Sequence, residues 1–292
     1  MSRWEARKFA ETGNNGRSRR RLPARRTALA VAGLCLSLWS CGLFDEERAE
    51  YVEQPVATLY NDAMNAMQAG DLSDAARLFD EVERQHPYST WAAKAQVMAA
   101  YANYQDNRYD EAINALDRFI ELHPGNTDIA YAYYLRAISY YEQISDVGRD
   151  QRATQQALKN LEEVVRRFPE SRYSRDAALK IDLARDHLAG KHMEIGRYYL
   201  DQGEYLAAIN RFRLVIENYQ TTTHVAEALH RLVESYLALG VTDEAQSTAA
   251  VLGYNYPGSI WYADSYVLLT GIDLRPEEYQ DSWISRIWKS LI

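Results

Sequence analysis

The chain is predicted to be all-α, a solenoid of five stacked helix pairs followed by a short C-terminal capping helix. Three observations point there. First, an alanine is followed at +4 and +7 by apolar residues five times: Ala75/Phe79/Val82, Ala112/Leu116/Phe119, Ala157/Leu161/Val164, Ala208/Phe212/Val215 and Ala245/Ala249/Leu252. Those offsets fall on one stripe of a helix. Second, four of the stripes are followed at +12 by a proline (Pro87, Pro124, Pro169 and Pro257), which ends a helix, while Gln220 holds the fifth such place. Third, an amphipathic stretch and a short polar turn precede the stripes, so the helices come in pairs.

The elements follow in order. Six arginines (17, 19, 20, 21, 25 and 26) precede an apolar run from Ala28 to Trp39, the pattern of a signal peptide over 1–40. The run ends in Leu38-Trp39-Ser40-Cys41-Gly42, which resembles a bacterial lipobox and makes Cys41 the expected lipidation residue. An uncleaved anchor, or a secretory signal with an incidental cysteine, is the alternative. Two points favour lipidation. No cysteine follows Cys41 to pair with it, and three acyl chains exceed what stable anchoring needs. The long basic region leaves open a translation start downstream of Met1. Residues 41–54 then read as a tether.

The array is expected over 55–270. Unit one pairs Ala57–Ala69 with Leu72–Gln85, and unit two pairs Trp91–Gln105 with Tyr109–Leu122. The marker alanines lie 37, 45, 51 and 37 residues apart. The eight extra residues of unit three are expected in its turn, Ile144 to Gln151. The 14 extra residues of unit four are expected to lengthen its first helix, about Ser174 to Asp201, by close to four turns. Gly190 is a candidate kink in it. A helix from Ser259 to Thr270 is expected to cover the end of unit five. The tail, 271–292, places Trp283, Ile284, Ile287, Trp288 and Leu291 on one helical face, with Ser285 elsewhere. Three roles stay open for it: a helix folded back on the array, a partner-docking helix, or a membrane-surface helix.

Composition narrows the function. Removing 1–40 deletes nine basic and two acidic residues, taking the net charge from −8 to −15. A chain this acidic, without a basic stripe, is not expected to bind nucleic acid. His187/His192 and His224/His230 lack the i, i+4 spacing of paired metal ligands, and His86 and His123 suit helix C-termini instead. No phosphate loop, nucleophile elbow or H-E-x-x-H motif is present. Neither an enzyme nor a cofactor is expected.

The Ala/apolar/Pro stripe resembles the second helix of the tetratricopeptide (TPR) repeat. That resemblance implies a right-handed superhelix with a concave groove lined by first helices. Projecting the pattern onto units one to three gives Tyr60, Met64 and Met67; Val97, Tyr101 and Tyr104; and Tyr134, Ile138 and Tyr141. Tyrosine and methionine suit an extended apolar or aromatic peptide. Placement in helix-packing core is the alternative for each of them.

A closer resemblance lies in longer strings. Asp117-Arg118-Phe119-Ile120 with Leu122-His123-Pro124, Tyr131-Ala132-Tyr133-Tyr134, and Arg149-Asp150 carry its first half. Phe168-Pro169-Glu170-Ser171 with Tyr173 and Asp176-Ala177, then Ala207-Ala208-Ile209-Asn210-Arg211, carry the second. Together with the lipobox, these resemble the BamD (YfiO/ComL) family of outer-membrane assembly lipoproteins from Cys41 to about Gly240. The resemblance implies a subunit of the β-barrel assembly (BAM) machine, lipid-anchored at the periplasmic face of the outer membrane. It implies binding to the POTRA region of BamA, contact with other BAM lipoproteins, and receipt of unfolded barrel precursors. Arg211 with Asn210, and Trp283 with Trp288 on the tail, are the candidate partner-binding residues. The competing reading is a TPR lipoprotein that scaffolds envelope division or peptidoglycan enzymes. A superhelical cell-wall lyase would need a further catalytic domain, for which the roughly 35 residues after Pro257 leave no room.

Overall fold

The computed structural model describes residues 53–272, 274–277 and 282–291. The expected signal peptide, Cys41 and nearly all of the tether lie outside the described residues. Among the described residues there are twelve helices and no strand.

The helices pair as α1 (Val56–Ala69) with α2 (Leu72–Gln85), α3 (Thr90–Gln105) with α4 (Tyr109–Leu122), and α5 (Ile129–Tyr141) with α6 (Arg152–Arg167). Then come α7 (Arg172–Asp201) with α8 (Tyr205–Asn218), and α9 (Val225–Ala238) with α10 (Thr242–Asn255). The chain closes with α11 (Ile260–Thr270) and α12 (Trp283–Leu291). Each helix through α10 packs on the next. All fifteen stripe residues are buried, none more than 1% exposed, so the stripe is the seam along which the pairs stack. Small alanine at the first position lets the neighbouring helix approach; the bulkier residues at +4 and +7 fill the space behind it.

Two turns recur. Between the helices of a pair, the chain reverses through a left-handed residue, at Gly70 (φ 87°) in unit one and at Asn107 (φ 58°) in unit two. The N–H groups of Gly70 and Asp71 return to the carbonyls of Met67 and Ala66, closing the helix end. Between pairs, a single geometry appears five times: Ser89, Asn126, Ser171, Thr222 and Ser259 each donate their N–H to the carbonyl three residues back. At Ser89 and Ser259 the hydroxyl also accepts the N–H two residues on, at 3.1 Å.

Gln220 fits this frame. Tyr219 before it has φ −134° and ψ 43°, close to the φ −128 to −132° and ψ 51 to 57° of His86, His123, Phe168 and Tyr256, which precede the prolines. Where proline would end the helix by steric exclusion, the Gln220 side-chain amide donates to the Glu217 carbonyl at 2.5 Å. The stop is made by a cap instead.

The two long units are linked. Helix α7 spans 30 residues and runs on through Gly190. A Cβ there would lie 3.2 Å from His224 Nε2 and 3.8 Å from Val147 Cγ1. Gly190 therefore serves close approach. Val147 belongs to the inserted turn of unit three, whose Gly148 carbonyl accepts Lys191 Nζ at 2.9 Å. The turn is itself held by Gln151, whose amide donates to the carbonyls of Asp146, Val147 and Arg149. The extra residues of unit three thus rest against the extra length of unit four.

Helix α12 lies on α10. Ile284 and Ser285 are buried, so Ser285, expected off the apolar face, is packed with it. The Trp283 indole N–H donates to the Tyr236 hydroxyl at 2.7 Å, and Glu244 accepts from the Ser282 hydroxyl at 2.6 Å. Of the three roles left open for the tail, the fold-back is the arrangement observed.

Candidate peptide-binding site

First helices of neighbouring units touch throughout the array (α1 with α3, α3 with α5, α5 with α7, α7 with α9), whereas second helices do not meet comparably. The array therefore bends with its first helices inside, and their free faces line the concave surface.

Projection from the repeat pattern located this surface only in part. Tyr60, Val97 and Ile138 are corrections: they are 6%, 4% and 8% exposed and belong to the core. Tyr60 is wedged edge-on between Phe79 and Trp91, at centroid distances of 5.3 and 4.8 Å. These three positions face the neighbouring helix, the alternative weighed for every residue of the set. Met64, Met67, Tyr101, Tyr104, Tyr134 and Tyr141 are half-buried, with part of each side chain facing out.

The side chains that cluster are tyrosines from three successive first helices. Tyr101 and Tyr104 come from α3, Tyr131 and Tyr134 from α5, and Tyr173 from α7. Tyr134 stacks on Tyr173 at 5.1 Å with 24° between the rings, and Tyr131 lies 5.4 Å from Tyr173. Tyr104 and Tyr134 donate their hydroxyls to Glu142 at 3.5 Å and Asp176 at 2.5 Å. Tyr131 makes no hydrogen bond among the described residues. Burial, reinforced by Glu142 and Tyr109, pushes the Tyr104 hydroxyl up to about 12. Burial does the same to Tyr131 and Tyr134, helped respectively by the other tyrosines and by Asp176. All three therefore stay neutral donors at any physiological pH. Beyond them, Lys180 sits 5.4 Å over the Tyr141 ring and 3.3 Å from Asp176.

This surface offers aromatic faces to apolar side chains. Its hydroxyls, with Asp176 and Glu142, can hydrogen-bond the backbone of an extended segment. Tyr131, Tyr173 and Asp176 were not among the projected residues. They sit in the strings Tyr131-Ala132-Tyr133-Tyr134 and Tyr173…Asp176, so a tyrosine census of the first helices would have found Tyr131 and Tyr173, though not Asp176.

The candidate partner residues lie on α8 and α12. Asn210 is exposed and Arg211 partly so. Arg211 makes no ion pair or hydrogen bond among the described residues. Its charge acts on His192 of α7, whose pKa is lowered first by burial and then by Arg211. Two residues on, Arg213 is committed: it pairs with Glu217 at 3.1 Å and stacks 4.1 Å over Trp283. Trp283 is thus engaged within the chain, while Trp288 borders a cavity of about 390 Å³ between α10 and α12. A cleft of about 1190 Å³ lies between α2 and α4 among charged side chains such as Arg77, Asp80 and Arg118, away from the tyrosines. Among the described residues no three His, Cys, Asp or Glu side chains are placed to hold a metal ion, and no helix is long and apolar enough to cross a membrane.

Fold and surface together define a TPR-like scaffold of stacked helix pairs. Residues 52–252 match the profile of the YfiO family, described as an outer membrane lipoprotein. The chain is 54% identical over 226 residues to outer membrane protein assembly factor BamD of Caulobacter vibrioides, covering 77% of this chain and 74% of that protein. It is 47% identical over 243 residues to BamD of Rickettsia prowazekii, covering 83% and 95%. Among solved structures, the TPR2AB domain of yeast Sti1 is similar at 12% identity and TM-score 0.39, covering 74% of this chain and 84% of that one. The chain belongs to the YfiO (BamD) family of outer membrane lipoproteins.

Proposed function

We propose that this chain is a non-enzymatic subunit of the machinery that assembles β-barrel proteins in the outer membrane. In this reading it is held at the periplasmic face through lipid on Cys41. It receives unfolded barrel precursors on the tyrosine surface of α3, α5 and α7, and passes them to BamA. The observation that carries the reading is the contiguous cluster of Tyr101, Tyr104, Tyr131, Tyr134 and Tyr173 on the concave side of a family member. An extended, aromatic-ended strand is the ligand chemistry this cluster suits. The relatives' name, assembly factor, agrees with that role.

The handover requires a second surface, and Arg211 supplies a cation not used internally. Arg211, which makes no ion pair among the described residues, lies beside the exposed Asn210 and offers a local cation to an acidic patch on BamA, against the chain's overall negative charge. Photocrosslinkers in place of Tyr104 and Tyr173 are expected to capture the C-terminal strand of a barrel precursor. Capture at Glu121 on the opposite face, with none at the tyrosines, overturns the assignment. Arg211→Glu is expected to reduce co-purification with BamA; undiminished recovery removes that residue from the interface.

A further inference from the structure

Arg172, the first residue of α7, stands at the edge of the tyrosine surface and is exposed. Its Nη2 donates to the Tyr173 hydroxyl at 2.7 Å, and its guanidinium lies 4.8 Å over the same ring. Ring and hydroxyl together hold a long, flexible side chain in one place. Its charge also acts on the Tyr131 hydroxyl, which makes no hydrogen bond among the described residues.

This arginine lacks what its counterparts have. Among the described residues, five arginines lie over aromatic rings. Arg136, Arg167, Arg213 and Arg231 each pair with a carboxylate as well, at 2.7 to 3.1 Å. Arg172 pairs with none among the described residues. Lys180, over the Tyr141 ring, is by contrast held by Asp176 at 3.3 Å. An acid stands at the other end of the surface. Glu142 closes α5, about 12 Å along the helix from the Tyr134 that stacks on Tyr173. An unpaired positive charge at the start of α7 thus faces a negative one at the end of α5, with tyrosine rings between.

We infer that Arg172 takes the free α-carboxylate at the C-terminus of the bound segment, with the Tyr131 hydroxyl as a second donor. The inference rests on the reading of the tyrosine surface as a peptide site, and adds a direction to it. A planar guanidinium with one nitrogen engaged still presents N–H groups to a carboxylate. The segment's last side chain then lies against the Tyr131 and Tyr173 rings, and the chain runs from there toward Tyr104 and Glu142. At about 3.3 Å per residue, that course takes about four residues. Tyrosine rings alone suit any extended aromatic segment. Arg172 restricts the site to segments that end there.

The test is to titrate one peptide from the C-terminus of a barrel precursor, as free acid and as C-terminal amide, into the full-length protein. The acid is expected to bind about fivefold more tightly, the scale of a solvent-exposed ion pair. Arg172→Gln is expected to bind both forms alike, at the parent's affinity for the amide, with its fold unchanged by circular dichroism. Arg185→Gln removes the same charge farther along α7, where the arginine pairs with Glu162 at 2.7 Å, and should keep the preference. Equal binding of acid and amide by the parent overturns the inference and leaves the tyrosine surface standing; an acidic side chain within the segment would then be the carboxylate that Arg172 meets. A preference that survives Arg172→Gln assigns the chain end to another residue and overturns it equally. Failure of both forms to bind the parent removes the tyrosine surface as the peptide site, and this inference with it.

Discussion

Lys191 Nζ donates to the Gly148 carbonyl across 2.9 Å, and through this contact the two departures from an even repeat support each other. The lengthened α7 gives the inserted turn of unit three something to lie on. Val147 of that turn and His224 at the start of unit five both approach Gly190 of α7.

Gly190→Leu is therefore expected to cost more than a helix-interior glycine replacement normally gains. The new side chain meets Val147 and His224, and overpacking of this kind costs about 1–3 kcal/mol. Gly196→Ala is a sharper case, because its Cβ would lie 2.4 Å from the buried Phe212 ring. Both should lower the thermal unfolding midpoint, measured by circular dichroism. A rise in midpoint for Gly196→Ala would contradict the packing described.

Trp283→Phe and Trp283→Ala separate two contributions in the tail. Phenylalanine keeps most of the packing and the ring under Arg213 but loses the N–H bond to Tyr236, a loss of about 1 kcal/mol. Alanine loses both, about 2–4 kcal/mol. Hydrogen exchange of the α12 amides should quicken in that order, while exchange in α1 to α4 stays unchanged.

Gln220→Pro is expected to be tolerated. Tyr219 already holds backbone angles close to those found before the four prolines, and the Gln220 N–H donates to no backbone carbonyl among the described residues. Fewer unfolded conformations should offset the lost amide cap, giving a change within about 1 kcal/mol. Gln220→Ala, which loses the cap with no such gain, should be the less stable of the two by urea denaturation.

Acid should loosen the C-terminal end first. His230 is buried, with Nδ1 2.8 Å from Ser265 Oγ and Nε2 3.6 Å from Glu234. Burial, aided by Arg231, lowers its pKa below the ordinary 6.5 against the opposing pull of Glu234, Asp264 and Glu227. The unfolded chain then binds a proton that the folded chain does not. Stability should fall as pH drops through 6.5 and level off below the folded value. His192, also lowered, adds in the same direction. His230→Gln should flatten the fall in unfolding midpoint between pH 8 and pH 5.5; an unchanged slope would exclude His230 as its source.

The stripe of Ala75, Phe79, Val82 and their counterparts made the pairing legible because a repeated seam needs the same sizes at the same offsets. The turns at Gly70 and Asn107 were equally plain. The pairing of the two insertions was not, since Lys191 and Gly148 are 43 residues apart and joined by a side chain to a carbonyl, which leaves no periodic trace. The groove was half legible. The first helices contact a second helix on one side and another first helix on the other, so several phases of the helix are buried. Tyr60, Val97 and Ile138 fall on a packed phase and Tyr101, Tyr104 and Tyr134 on the open one, a distinction set by neighbouring units. Helical spacing puts Ser285 off the face of Trp283, Ile284 and Trp288, yet it is small enough to sit against α10.

The claim at the centre of this account is that the tyrosine surface holds the strand. Titrating a fluorescent peptide from the C-terminus of a barrel precursor into the lipid-free protein tests it most directly. Tyr131→Ala with Tyr173→Ala removes two partly buried aromatic anchors and is expected to weaken binding by at least about tenfold, more than 1.4 kcal/mol. The fold should be retained by circular dichroism. Binding within twofold of the parent protein would contradict the account.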